Sequence, residues 1–170
     1  NYGFVLFINQ LVSQGASFNN AQLVITPAPD ADSDGMPDDY EIANGLDPNV
    51  DDAADDNDID GGPDGLTNFE EYTAGTNPQD SDSDNDGLQD GTELGDTIEV
   101  GDPDGPGPLE GTDLAFYVPD ADDTTVTDPL DPDTDDGGVS DGNEDTDLDG
   151  EVDGGETDPT LGNAADDVTT

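Results

Sequence analysis

Apolar residues fall in two regimes along this chain. Between Asn1 and Thr26 they come in runs, FVLFI and QLVIT, with no charged residue among them. Their β-branched and aromatic content predicts two strands joined by a loop at SQGASFNN. A helix from Phe4 to Val12 is the alternative, because Phe4, Phe7, Ile8, Leu11 and Val12 also share one stripe. From Asp30 onward, apolar residues are sparse and set among acids and glycines. The stretches DDYEIANG and NFEEYTAG each allow one or two helical turns, stopped by Gly45 and Gly75, with Pro48 and Pro78 just beyond. Tyr40, Ile42 and Leu46 form one candidate cluster and Leu66, Phe69 and Tyr72 another, each expected to pack on its own neighbour rather than in a central core. Farther on, LAFYVPD (114–120) reads as a short strand and TTV (124–126) as its hairpin partner. Between the two halves, GDPDGPGPLEG is too rich in Pro and Gly for a helix or a central strand.

Charge changes this picture. The chain of 170 residues holds 47 acids and no Lys, Arg or His, a formal net charge of -47. Such a chain repels itself unless counter-ions intervene. Hydrophobic content is 29% and Cys is absent, so neither a large core nor disulfides can hold it together. Bound cations are the remaining staple. Nucleic acid and anionic membrane are poor partners for so negative a surface, and no stretch reaches the length of a membrane span.

The order of the acids points to calcium as the cation. In DSDNDGLQDGTE (82–93), Asp82, Asp84 and Asp86 occupy positions 1, 3 and 5, Gly87 position 6, Leu88 position 7, Asp90 position 9 and Glu93 position 12. That is the ligand spacing of a calcium loop, in which position 7 gives its backbone carbonyl and the glutamate closes the shell with two oxygens. Gly at position 6 permits the sharp turn. Magnesium demands tighter geometry, and zinc would ask for Cys or His. The spacing recurs in DADSDGMPDDYE (30–41), with Asp30, Asp32, Asp34, Met36 through its carbonyl, Asp38 and Glu41. It is also complete in DTDLDGEVDGGE (145–156), with Asp145, Asp147, Asp149, Glu151 through its carbonyl, Asp153 and Glu156. Two loops are partial. In DGGPDGLTNFEE (60–71), Asp60, Asp64, Leu66, Asn68 and Glu71 fit, but Gly62 stands at position 3, where Asp58 or a water must compensate. In DTDDGGVSDGNE (133–144), Asp133, Asp135, Val139, Asp141 and Glu144 fit, but Gly137 stands at position 5, and Asp136 reaches in only if the register bends. Asp80 precedes the third loop, and Asp102 and Asp104 form a candidate irregular site with Glu99 or Glu110. Ordinary EF-hands are excluded, because Glu144 is followed directly by Asp145 and leaves no room for a helix between loops.

A longer period accompanies the loops: Gly35 and Gly65 are 30 apart, as are Asp47-Pro48 and Asn77-Pro78, and Asp128-Pro129 and Asp158-Pro159. On DADSDGMPDDYEIANGLDP, DSDSDNDGLQDGTE, DPLDPDTDDGGVSDGNE and DTDLDGEVDGGETDP, the chain resembles the thrombospondin type 3 repeat family in the form common in bacterial surface proteins. The resemblance covers about residues 30–94 and 128–160. It implies a calcium-wrapped chain with little regular structure, carboxylates bridging neighbouring ions, and service as a stalk, spacer or adhesion segment rather than as a catalyst. Gly62 and Gly137 depart from the pattern.

The fold expected is therefore mostly irregular: tandem DxDxDG loops stapled by calcium, very short helical turns, and small β elements at the N-terminus and in the central segment. Five regions follow, namely an uncharged assembly or capping segment (1–29), a first repeat block (30–94), a Pro/Gly-rich segment with a hairpin (95–127), a second repeat block (128–160) and a tail (161–170). Without His, Cys or basic residues, and with too little apolar surface for a substrate pocket, the chain is not expected to be an enzyme. Five or more Ca2+ are expected per chain. Cytosolic calcium is too scarce for weak structural sites, which points to an extracellular or prokaryotic cell-surface setting. The start at Asn1 fits a processed chain or a piece of a longer one. The uncharged first segment suggests head-to-tail assembly into a filament, its strand inserting beside a strand such as LAFYV of the next copy. A stalk segment of a larger adhesin is the competing expectation.

Overall fold

The computed structural model describes residues 27–56, 58, 59, 61–101, 103, 111–122 and 124–162, and among these four short helices punctuate otherwise irregular backbone. Helices α1 (Asp38–Asn44) and α2 (Asn68–Ala74) have seven residues each, and α3 (Asp90–Glu93) and α4 (Asp141–Glu144) have four. Each begins at position 9 of an acidic loop. The first two end in left-handed glycines, Gly45 (φ 81°) and Gly75 (φ 94°), where the spacing predicts a stop. Helix α2 has a full capping box, with Thr67 accepting from the Glu70 N–H and the Glu70 carboxylate accepting from the Thr67 N–H.

A common turn builds the loops. Position 6 is left-handed in all five: Gly35, Gly65, Gly87, Gly138 and Gly150 have φ between 79° and 113°. Position 4 is also left-handed in four of them, at Ser33 (φ 71°), Asn85 (65°), Asp136 (60°) and Leu148 (61°). The second loop carries Pro63 at this place, whose ring forbids positive φ. There Gly61 (φ 89°) and Gly62 (φ 94°) make the turn instead.

Packing is thin and sequential. Met36, Leu66 and Leu88, each at position 7, are buried together with Tyr117. The two expected aromatic clusters merge across α1 and α2, with the Tyr40 and Tyr72 ring centroids 4.6 Å apart and Phe69 6.1 Å from Tyr72. Ile42, expected in the first cluster, is 67% exposed. Successive loops dock by a repeated contact. The N–H of Gly91, position 10 of the third loop, donates to Asp64 Oδ2, at position 5 of the loop before it (3.2 Å). Gly142, at the same place in the fourth loop, donates to Asp86 Oδ2 (2.6 Å).

The expected β elements are overturned: among the described residues there is no strand. In the central segment the polar side chains of Asp113 and Asp122 win over β propensity. Asp113 accepts from the Ala115 N–H through its side chain, and its carbonyl accepts from Phe116 and Tyr117, so LAFY turns. Asp122 likewise captures Thr124 and Thr125. Val118 pairs with the side-chain amide of Gln89, not with a neighbouring strand. The expectation for the N-terminal segment falls on residues 1–26, outside the described residues. No helix among the described residues is long and apolar enough to cross a membrane.

Candidate metal centres

The early carboxylates are held by backbone N–H groups, some through one oxygen and some, such as Asp82 and Asp145, through both. At position 5, Asp34, Asp64, Asp86 and Asp149 accept from the N–H of position 7, two residues on, at 2.8–3.0 Å. At position 3, Asp32, Asp84 and Asp135 accept from position 5. At position 1, Asp82 and Asp145 each accept from two backbone N–H groups. The remaining oxygens Asp32 Oδ2, Asp34 Oδ2, Asp84 Oδ2, Asp133 Oδ1 and Asp135 Oδ2 are buried without a hydrogen-bond partner. A buried unsatisfied polar atom costs about 1–3 kcal/mol, and more when charged. The chain has no basic residue to relieve it.

Oxygens that share a calcium at ~2.4 Å lie within ~4.8 Å of one another. Five trios meet that limit: Asp30–Asp32–Asp34, Asp34–Glu41–Asp52, Asp56–Asp58–Asp64, Asp82–Asp84–Asp86 and Asp145–Asp147–Glu156. Three of them bring together loop positions read from the sequence. In the first loop Glu41 joins Asp34 and Asp52 instead of Asp30, and Asp34 belongs to both trios. In the second loop Asp58, expected to stand in for Gly62, lies within reach of Asp64, and Asp56 lies with them. Among the described residues, Asp133, Asp135 and Glu144 of the fourth loop belong to no such trio. Asp60, Asp102 and Asp104 lie outside the described residues.

The ninth-position acids have a different task. Asp38, Asp90 and Asp141 accept from the backbone N–H of position 2 in their own loops, at Ala31, Ser83 and Thr134. Asn68 donates to the Asp52 carbonyl instead. In the fifth loop Glu156 takes over, accepting from Thr146 at position 2, and its other oxygen accepts from the N–H of Asp153. These bonds close the loop and leave position 9 one step back from the cluster. Among the described residues, Asp80 and Asp149 join no trio. At position 7 it is the side chains of Met36, Leu66 and Leu88 that are buried, while Val139 is half-buried and Glu151 exposed.

Four of the five glutamates at position 12 are buried, and Glu156 is half-buried. Glu41 is fully buried and neither carboxylate oxygen has a partner. Glu71 and Glu93 are 1% and 2% exposed and keep one such oxygen each. Burial, reinforced by neighbouring acids, pushes Glu71 up to about 10 and Asp64 up to about 8. Glu93 rises to about 9, chiefly by burial and despite its bond from Thr127. The interior therefore requires protons or cations. An all-oxygen, anionic, partly preorganised donor set suits a hard divalent ion of calcium's size.

Asp52 and Asp56 were not legible as ligands, because both precede the twelve-residue pattern of the second loop and belong to the run DDAADDND. For Asp56 the available signal was Gly62, which offers no side chain at position 3 of the second loop; Asp52 groups with the first loop instead. In comparisons with known proteins, no family model, no curated protein and no solved structure matches this chain.

Proposed function

We propose that this chain is an extracellular structural protein that binds calcium at a series of acidic loops and serves as the repeating subunit of a filament or surface assembly. The observation that carries the reading is the set of buried, unpartnered carboxylate oxygens converging in successive loops of a chain with no positive side chain. Calcium supplies both the neutralising charge and the missing partner for those oxygens, so its binding free energy is folding free energy. The role is structural and not catalytic. The resemblance to thrombospondin type 3 repeats, on the loops quoted above, points the same way.

Assembly is proposed from the sequence of residues 1–29, the uncharged portion of an otherwise acidic chain. Head-to-tail contact through it gives an open filament unless the rotation closes, and calcium lowers the repulsion between copies. LAFYV is not available as the receiving strand, because residues 114–116 form a turn. A second reading, a spacer within a larger cell-surface adhesin, is supported by the stepwise docking of Gly91 on Asp64 and Gly142 on Asp86. Electron microscopy of the purified chain in millimolar calcium tests the choice. Filaments that vanish when residues 1–26 are deleted support the subunit. Monomers at high concentration with the segment intact support the spacer and defeat the subunit.

A further inference from the structure

The second loop differs from the others in what surrounds it. Its trio is drawn from Asp56, Asp58 and Asp64, of which Asp56 lies outside any loop pattern. All three are more than nine-tenths buried. Neither oxygen of Asp58 has a hydrogen-bond partner. Two further buried groups are left wanting beside it: Glu71 Oε1, on a side chain 1% exposed whose strongest charged neighbours include Asp58 and Asp64, and Asn68 Oδ1, on a side chain 0% exposed whose amide Nδ2 is already spent on the Asp52 carbonyl.

Asp56 faces two ways. Its Oδ2 accepts from the Gly65 N–H (3.1 Å) and from the hydroxyl of Thr112, 56 residues along the chain. Its Oδ1 is buried without a partner. Thr112 in turn holds the Val100 N–H through Oγ1 and donates its own N–H to the Val100 carbonyl. Next to it, the Tyr117 ring lies against Gly65, so closely that a Cβ there would sit 2.5 Å from the ring, and the Tyr117 hydroxyl donates to the Asp96 carbonyl (3.1 Å). Two anchors of the central segment thus rest on Asp56 of this trio and on Gly65 beside it, while Gln89 and Thr92 hold Phe116 and Val118 farther along.

We propose that Asp56 is a ligand of the cation in the second loop, together with Asp58 and Asp64, and that this ion locks the central segment at Thr112 and Val100 onto the first repeat block through Asp56–Thr112. The inference rests on the reading that the loops bind calcium. An ion on Oδ1 fixes the Asp56 carboxylate in the rotamer whose Oδ2 receives Thr112. Without the ion, three buried like charges drive the trio apart and the central segment loses its footing. The other loops hold their ions without the central segment having to be in place at Asp56.

The test uses the full chain in calcium, with ions counted by equilibrium dialysis and the lock read by chymotrypsin cleavage after Phe116 and Tyr117; trypsin has no site, since Lys and Arg are absent. Asp58→Asn is expected to bind one ion fewer. At free calcium ~100 times the dissociation constant, it should be cut about 100-fold faster, because that is the protection the ion confers on the closed state. Thr112→Val leaves the trio intact, so it should keep the wild-type ion count yet be cut faster, with Thr112→Ser restoring the slow rate. Wild-type calcium uptake with an unchanged count in Asp58→Asn overturns the ligand assignment. Cleavage of Thr112→Val at the wild-type rate overturns the lock, even if Asp58→Asn fails to fold. No uptake by the wild type defeats the calcium reading itself, and this inference with it.

Discussion

Replacing Gly142 by Ala tests whether the acidic loops are coupled to one another. Gly142 lies in α4, and its N–H donates to Asp86 Oδ2 at 2.6 Å. A Cβ at this position would stand 2.5 Å from the Asp86 carbonyl oxygen and 3.1 Å from its carbonyl carbon. Those atoms are backbone, so the fourth loop must move away from the third. Overpacking of this kind costs ~1–3 kcal/mol, against ~1 kcal/mol that alanine returns in a helix. The net loss is up to about 2 kcal/mol, or as much as roughly a 30-fold change in an equilibrium constant. Asp86 belongs to the trio of the third loop, so the loss should appear in calcium affinity there as well as in the fourth loop. The assay is the calcium midpoint for ordering, followed by circular dichroism or tyrosine fluorescence during titration from the chelated state. Gly91→Ala should behave alike, because its Cβ would collide with the Asp64 carbonyl. Gly154→Ala is the control: nothing lies within 4 Å of its added carbon, and its effect should stay within about 0.5 kcal/mol. If Gly142→Ala and Gly91→Ala both titrate like Gly154→Ala, the loops are not stacked in this register.

Three further outcomes follow from the same geometry. Glu41→Gln removes the charge of a fully buried group with two unpartnered oxygens, and should weaken calcium binding in the first loop at least ~10-fold; dialysis showing undiminished affinity would remove Glu41 from the shell. The calcium-free chain should be more compact in acid than at neutral pH. Asp58, Asp64, Glu93 and Glu71 have folded values raised to about 7, 8, 9 and 10, so the stability they allow is fully present below the ordinary carboxylate range near ~4 and is lost as pH rises through those values. A chelated chain with the same hydrodynamic radius at pH 4 and pH 8 would contradict this. Calorimetric titration should find at least five calcium ions per chain, and one or none would be equally damaging.

The loops were legible because their chemistry is local. Asp at positions 1, 3 and 5 and Gly at position 6 specify a turn whose hydrogen bonds run over two to five residues, as Asp86 to Leu88 and Asp82 to Gly87 show. The stops of α1 and α2 were readable for the same reason. What was missed acts at a distance or by competition. Asp52 joins Asp34 and Glu41, and Asp56 joins Asp58 and Asp64, through contacts that no twelve-residue spacing encodes. The hairpin expected at LAFYV fails because Asp113 and Asp122 offer the backbone nearer partners than another strand. The merging of Tyr40 with Tyr72 depends on how α1 meets α2, which neither segment encodes alone.

The central claim is that bound calcium replaces the core that this sequence lacks. Small-angle scattering of the full chain, in saturating calcium and then in excess EDTA, tests it most directly. A chain of this length has a radius of gyration of ~15 Å when compact and ~44 Å when unfolded. Chelation at neutral pH is predicted to carry the radius from the compact side of that interval most of the way to the unfolded limit, and restored calcium to bring it back. A radius that does not change when calcium is removed would contradict the account.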